Sequence, residues 1–485
     1  MTTRRSTIVR RNLLSSSLQI AAAAALLLES AQARATQPIE TFLEAARTNS
    51  YDVREQTATV EQRDWEQEAV FGRLLPAASA RGVYTRNQYA AVISGAATMG
   101  NTITITPQDQ FDLFLQLDVP LVDLANYERV GQARHLAKAS SHQLEQSQND
   151  VQRVVARAYY AYIGGAALVE AAERSQKIAE DNLAFVTTRH EIGVATELDR
   201  ERARANLEQA KQDRAQAQLI SITAGRNLET ASGIVPTPVE AYPRDDLHPE
   251  APLSEWLANK DTPSDRIQAE LDRAAAAAKK AAKYALLPTL SANAQERITN
   301  ATGFTGRTSA YTLQGMLSWR LDYSTYSTAQ AQASAADVQT VRAERARRGV
   351  EDAIFDAFER VRTGIVKSES ARAQARAALR AEELALARYQ SGALTQLDVT
   401  QSQRDAFQAQ ASQIQADADL LYSRVVLRLA AGKPAHVEPS ALVPAKDLDA
   451  QPPAQAATVP AAPGTVPAAP ATLPAPAPAA APAPR

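Results

Sequence analysis

The chain has no cysteine among its 485 residues, which excludes disulfides, thiolate catalysis, cysteine-rich metal centres and a lipid-modified N-terminal cysteine. Aromatic residues are scarce at 5%, while alanine and glutamine are abundant, a composition that suits long packed helices better than a thick globular core. Neither sign of charge predominates. The 52 basic and 54 acidic residues alternate along the chain, so no bulk attraction to nucleic acid or to an acidic partner is encoded. Long apolar runs are missing too: Leu18 to Leu28 falls short of the roughly 20 residues that a membrane-spanning helix needs. That run follows Arg4, Arg5, Arg10 and Arg11 and precedes Ala31-Gln32-Ala33 and Ala33-Arg34-Ala35, the layout of a bacterial-type signal peptide over residues 1–35. An exported chain without spanning helices is soluble in the periplasm, secreted, or inserted in the outer membrane as a barrel.

What the chain does have is a duplication. The stretch from Arg189 to Asp199, with Gly193, Thr196 and Leu198 inside it, recurs as Arg388 to Asp398 with Gly392, Thr395 and Leu397, 199 residues on. The same offset pairs Asp123 with Asp322, Tyr127 with Tyr326, Leu228 with Leu427 and Gly233 with Gly432. In each copy one long polar helical pattern runs into the glycine and another runs out, so Gly193 and Gly392 mark the tips of two helical hairpins. No proline interrupts Glu128 to His190, where Gly131, Gly164 and Gly165 are the weak points. Thr196 to Ser232, Ala329 to Tyr389 and Thr395 to Ala431 supply the other arms. Small residues and glutamines crowd all four, which predicts closely packed coiled coils with a wetted side.

Ahead of each hairpin the apolar period changes. A helical pattern over Pro38 to Arg73, carried by Phe42, Val53, Trp65 and Val70, stops at Leu74-Leu75-Pro76, and one from about Ser264 stops at Leu286-Leu287-Pro288. Strands are predicted at about 77–88, 111–122, 289–299 and 311–321. Phe111, Leu113, Leu115, Leu117 and Val119 alternate with Asp112, Gln116 and Asp118, Phe114 being the exception; Tyr311, Leu313, Leu317, Trp319 and Leu321 oppose Thr312, Gln314, Ser318 and Arg320. Such strands suit a bilayer-crossing barrel with an apolar outside and a polar inside. A half-buried sheet of a soluble domain is the alternative, but the flanking helices are too polar to cover the apolar face. Four strands leave two free edges, so the chain is expected to oligomerise, three copies giving twelve strands. The domain order is then a signal peptide over 1–35, a first unit over 36–233, a proline-bearing linker over 234–263, a second unit over 264–434 and a disordered Pro/Ala-rich tail over 435–485.

These features together, with Pro120-Leu121-Val122-Asp123 after the second strand and the paired Gly-x-x-Thr-x-Leu-Asp tips, resemble the TolC-like outer-membrane efflux family over roughly residues 38 to 434. The resemblance implies an α+β membrane protein: a homotrimer whose 12-stranded β-barrel sits in outer-membrane lipid and continues into a periplasmic tube of twelve helices. It also implies the function, an exit channel for a tripartite efflux or type I secretion system, with a periplasmic adaptor and an inner-membrane transporter as partners. The family closes its periplasmic end around the tips. By position Tyr389 matches the gating tyrosine, Asp398 the aspartate of an acidic constriction and Asp199 the aspartate that pairs with the tyrosine; Gly193, Gly392, Thr196 and Thr395 form the tips themselves. The gating arginine is replaced by Leu394, and a second acidic position is Gln401. On helix chemistry alone Asp199 and Asp398 also read as caps of their first turns.

No residue set names a reaction, a cofactor or a metal. The histidines His135, His142, His190, His248 and His436 lack metal-ligand spacing, and His135 and His142, seven apart, read as a solvated pair on one helical face. The basic runs Arg200–Arg204 and Arg342–Arg348 interleave with glutamates, so interhelical or solvated pairs explain them better than nucleic acid does. A coiled-coil scaffold of the periplasm or exterior, without a channel, is the competing function. Residues 451–485 are almost wholly Pro, Ala, Thr and Val and would reach about 100 Å if extended like polyproline. With almost no charge for binding they are expected to be dispensable: truncation after Pro444 should leave the native-gel trimer band and transport unchanged.

Overall fold

The computed structural model describes residues 37–94, 102–239, 241–258, 261–435 and 441–444; the expected signal peptide and nearly all of the expected tail lie outside them. The single helix predicted over Pro38–Arg73 is two, α1 (Ile39–Asn49) and α2 (Tyr51–Gly72), broken at Ser50, whose backbone is extended. Helix α1 buries Phe42 and Ala46, and Phe42 meets Tyr159 at 5.8 Å between ring centroids. On α2 Val53 is buried, but Trp65 is 70% exposed in the chain and does not belong to a core face.

Strands β1 (Ala77–Arg86), β4 (Asp109–Val122), β6 (Thr289–Thr299) and β7 (Ser309–Ser318) form one antiparallel sheet in the order β1-β4-β6-β7. The loop expected between the first two carries a small hairpin of its own, β2 (Ala91–Ile93) and β3 (Ile103–Thr106). Registers such as Leu117 opposite Ala78 and Ala294 gather the apolar alternation onto one face of the sheet, where Leu113, Leu115, Leu117, Tyr311, Leu313 and Leu317 are exposed. Glu296, opposite Leu115 and Tyr311, puts an acid in the middle of that face, and Asp109 puts another at its end.

The other face is knitted by polar contacts. Arg297 Nη2 lies 2.8 Å from Asp112, and Asn293 Nδ2 donates to Asp118 at 2.6 Å. Phe114 breaks the alternation for a reason the strand pattern does not contain: its ring lies 5.0 Å from the Arg81 guanidinium and 5.7 Å from that of Arg297, on the two neighbouring strands.

Both long helices begin at the duplicated aspartates. Asp123 accepts from the Asn126 N–H at 2.9 Å and opens α3 (Leu124–Glu191); helix α4 (Glu197–Ser232) returns and ends at Gly233 with φ +77°. Beyond it come β5 (Ala241–Arg244), the short α5 (Leu253–Leu257) and α6 (Pro263–Tyr284). Asp322 then accepts from the Thr325 N–H at 2.6 Å and opens α7 (Tyr323–Gln390), which α8 (Gln396–Ala430) follows. Helices α3 and α7 are each 68 residues long, about 100 Å at 1.5 Å per residue. Among the described residues no helix is long and apolar enough to cross a membrane.

Order does not end at Pro434 as the composition suggested, because Ala441–Pro444 forms β8 and pairs antiparallel with β5, joining the segments that follow the two repeats. The linker is clasped from below by Arg424, 2% exposed, which donates to Asp245 at 2.6 and 3.0 Å and to the His248 carbonyl at 2.8 Å. Arg372, paired with Asp417 at 3.0 Å, adds a bond to the Asp245 carbonyl. Trp256 of α5 packs into the apolar cluster of Ile354, Val361, Leu420 and Leu427.

Helix α3 runs unbroken through Gly164 and Gly165, since these residues serve packing and not a hinge. A Cβ on Gly165 would lie 3.0 Å from the Ser221 Cα on α4, and its counterpart Gly364 faces Leu420 in the same way on α7 and α8, but with a side-chain methyl at 3.2 Å. Backbone cannot yield as a methyl can. Gly165→Ala should therefore lower the apparent melting temperature, at a cost of about 1–3 kcal/mol. Gly364→Ala should be close to neutral, as better helix propensity of up to ~1 kcal/mol offsets the tighter contact; circular dichroism of the purified variants measures both.

Candidate functional site at the hairpin tips

Each tip is built by the residues that the duplication marks. Gly193 (φ +76°) and Gly392 (φ +81°) leave α3 and α7 in the left-handed region, and their N–H groups close the helix ends on the His190 and Tyr389 carbonyls at 2.9 and 3.0 Å. Thr196 and Thr395 start the return helices with reciprocal capping boxes. Thr196 Oγ1 donates to Asp199 Oδ2 at 2.7 Å and accepts from the Asp199 N–H at 3.2 Å; Thr395 and Asp398 repeat this at 2.7 and 3.4 Å. The bonds from Thr395 hold the Asp398 carboxyl below the usual carboxylate range. Capping is thus the shared structural role of the two aspartates.

Tyr389 is placed differently from its pairing with Asp199 in the resemblance. No hydrogen bond joins its hydroxyl to Asp199 within the chain; the ring is 6% exposed in an apolar cluster with Val186, Ala203 and Val399. Burial pushes its phenol up, Arg189 opposes that, and the Asp199 charge adds to it. The polar contact at this point is made by Arg189, which sequence reasoning passed over. Its Nη1 donates to the Tyr389 carbonyl at 3.1 Å, and its guanidinium stacks 5.2 Å from the Tyr389 ring and 5.5 Å from that of Phe185. A cation is thereby set on the carbonyl end of α7, where the helix dipole favours it. The signal was present, since Arg189 and Arg388 open the two copies of the tip motif, but nothing in one strand of sequence shows that only the first reaches across to the other hairpin. Leu394, in place of the family's arginine, is half-buried, and Gln401 donates to Asp405 at 2.9 Å.

His436 lies outside the described residues; the other histidines take separate places. His135 is not a solvated partner of His142 but bonds the buried Glu270 of α6 at 2.7 Å, while His142 lies 3.5 Å from Glu145. Among the described residues Asp245, Asp246 and His248 come close enough for metal ligation, yet both oxygens of Asp245 are occupied by Arg424.

With this geometry in hand, comparison with known proteins is specific. Residues 42–234 match the family described as "Outer membrane efflux protein". No curated protein matches the chain. Among solved structures it is similar to a membrane protein from Pseudomonas aeruginosa (19% identity, TM-score 0.71, covering 81% of this chain and 90% of that one). It is also similar to the Campylobacter jejuni CmeC outer membrane channel (17%, 0.70, 81% and 85%) and to the open state of the Neisseria gonorrhoeae MtrE outer membrane channel (18%, 0.66, 82% and 90%). Over residues 42–234 the chain thus resembles the outer membrane efflux protein family, and over 81–82% of its length it shares the fold of these solved membrane proteins.

Proposed function

We propose that three copies of this chain close into a passive exit duct, a twelve-stranded barrel in the outer membrane continuing into a periplasmic helical tube, which a periplasmic adaptor and an inner-membrane transporter supply with cargo. The observation that carries this is the four-stranded sheet: its apolar face is exposed, its polar face is internally bonded, and β1 and β7 are free edges running in opposite directions. Edges of that kind satisfy each other only when one copy's β7 pairs with the next copy's β1. The purified protein should conduct ions in planar bilayers and resist carbonate extraction from outer membranes. Extraction like that of a peripheral protein would favour the scaffold instead.

The tips are the gate in this reading. Asp398 from three chains lines the narrow end and favours cations there, and Tyr389 fastens the two hairpins of a chain by its buried ring. Asp199 holds the first turn of α4 beside it. Asp398→Asn keeps a carbonyl for the Thr395 N–H but removes the charge, so cation preference should fall in reversal-potential measurements with the melting temperature little changed. Tyr389→Ala should cost about 3–5 kcal/mol of packing and expose the tips to limited proteolysis. Tyr389→Phe, which removes a hydroxyl not bonded to Asp199, should do neither.

A further inference from the structure

One row of the sheet's polar face differs from its neighbours. Across the strands Arg81 stands opposite Phe114, Phe114 opposite Arg297 and Arg297 opposite Ala310. The next row, Ser79, Gln116, Gln295 and Thr312, carries no charge. Of the two guanidiniums beside Phe114 only that of Arg297 is neutralised. Its Nε and Nη2 lie 2.9 and 2.8 Å from Asp112 Oδ1, and Gln110 donates to Asp112 Oδ2 at 2.6 Å. Asp118, the other acid of this face, accepts from Gln116 at 2.9 Å and from Asn293 at 2.6 Å.

Arg81 is left over. It is exposed and has neither a hydrogen bond nor an ion pair among the described residues; what holds it is the Phe114 ring, 5.0 Å from its guanidinium. A guanidinium over an aromatic ring keeps its in-plane N–H donors free, the arrangement that takes an oxyanion through two hydrogen bonds. The sheet's edge does not cancel the charge either. Arg81 lies on the edge strand β1, whose neighbour in a closed barrel is β7 of the next copy. Neither Ala77–Arg86 nor Ser309–Ser318 contains an acidic residue, so no register between these strands supplies a counter-charge.

We propose, resting on the barrel reading, that this row is an oxyanion-binding station in the lumen, where Arg81 takes the carboxylate or sulfonate of a small organic cargo on its way out. Three copies set their uncompensated guanidiniums on one ring of the wall, and low-dielectric walls focus the field of that ring on the aqueous path. Asp398 gathers cations at the tips, whereas the barrel favours organic anions. Phe114 is a positioning residue: it holds the guanidinium so that the donor edge faces the cargo.

The probe is benzenesulfonate, which stays charged at any working pH, compared with chloride by reversal potentials of the purified protein in planar bilayers. Arg81→Gln should lower the benzenesulfonate-to-chloride permeability ratio several-fold and the anion-to-cation ratio with it. Arg81→Lys and Phe114→Leu keep the charge but lose the planar fork or its support, so the first ratio should fall and the second should stay at the wild-type value. Because the native chain has no cysteine, a cationic, water-soluble thiosulfonate can restore the charge in Arg81→Cys; the anion-to-cation ratio should then recover without the benzenesulfonate preference. Conducting variants that keep both wild-type ratios, or a lysine that serves as well as Arg81, would overturn the station and leave the channel standing. So would a wild-type channel that conducts while none of the variants does, since the row would then be structural. A protein that never conducts in any form would overturn the channel reading and the station with it.

Discussion

A sheet of four strands with both edges unpaired and an apolar face turned outward is not a finished structure. In hydrocarbon each unpaired N–H and C=O is costly, and in water the exposed leucines are. In the channel reading proposed above, copies of the same chain complete the sheet, and the symmetry that closes the barrel also arranges the helical hairpins that leave it. The polar face prepares for this inside one chain, with Arg297 on Asp112 and Asn293 on Asp118 fixing the register of β4 against β6 before any neighbour arrives.

Helices of 68 residues can stay slender only if their seams are narrow. Alanine is accordingly the commonest buried residue of α3 and α7, with glycine where backbones come closest, as at Gly165 against Ser221. Stability at such seams comes from many small contacts and not from a central core. The exceptions are local fasteners. Arg424, buried with Asp245, ties the inter-repeat linker to α8; Trp256 plugs the cluster above it; Tyr389 and Arg189 join the hairpins at the far end.

The duplication is exact in register but not in chemistry, and the differences fall where they have consequences. Asp123 and Asp322, Thr196 and Thr395, and Gly233 and Gly432 keep the same jobs in both copies, because caps and left-handed turns depend only on their own few residues. Tyr389 and His190, Gln396 and Glu197, and Val399 and Arg200 have diverged, because one member of each pair faces the chain's other hairpin and its counterpart does not.

The sequence by itself determined the elements: both hairpins and their glycine tips, the capping boxes, the four main strands and the sidedness of each. These follow from local rules, the period of apolar residues, the missing N–H of proline and the left-handed freedom of glycine, none of which needs a neighbour. The break at Ser50, the β2–β3 hairpin and the pairing of β5 with β8 carry no comparable periodicity, and they were left to tertiary contact. So were the assignments that join residues far apart: His135 to Glu270, Phe114 between two arginines, and Arg189 rather than Asp199 as the polar partner at Tyr389. A side chain as long as arginine can serve its own helix or reach the next one, and only the packing of α3 against α7 and α8 decided which.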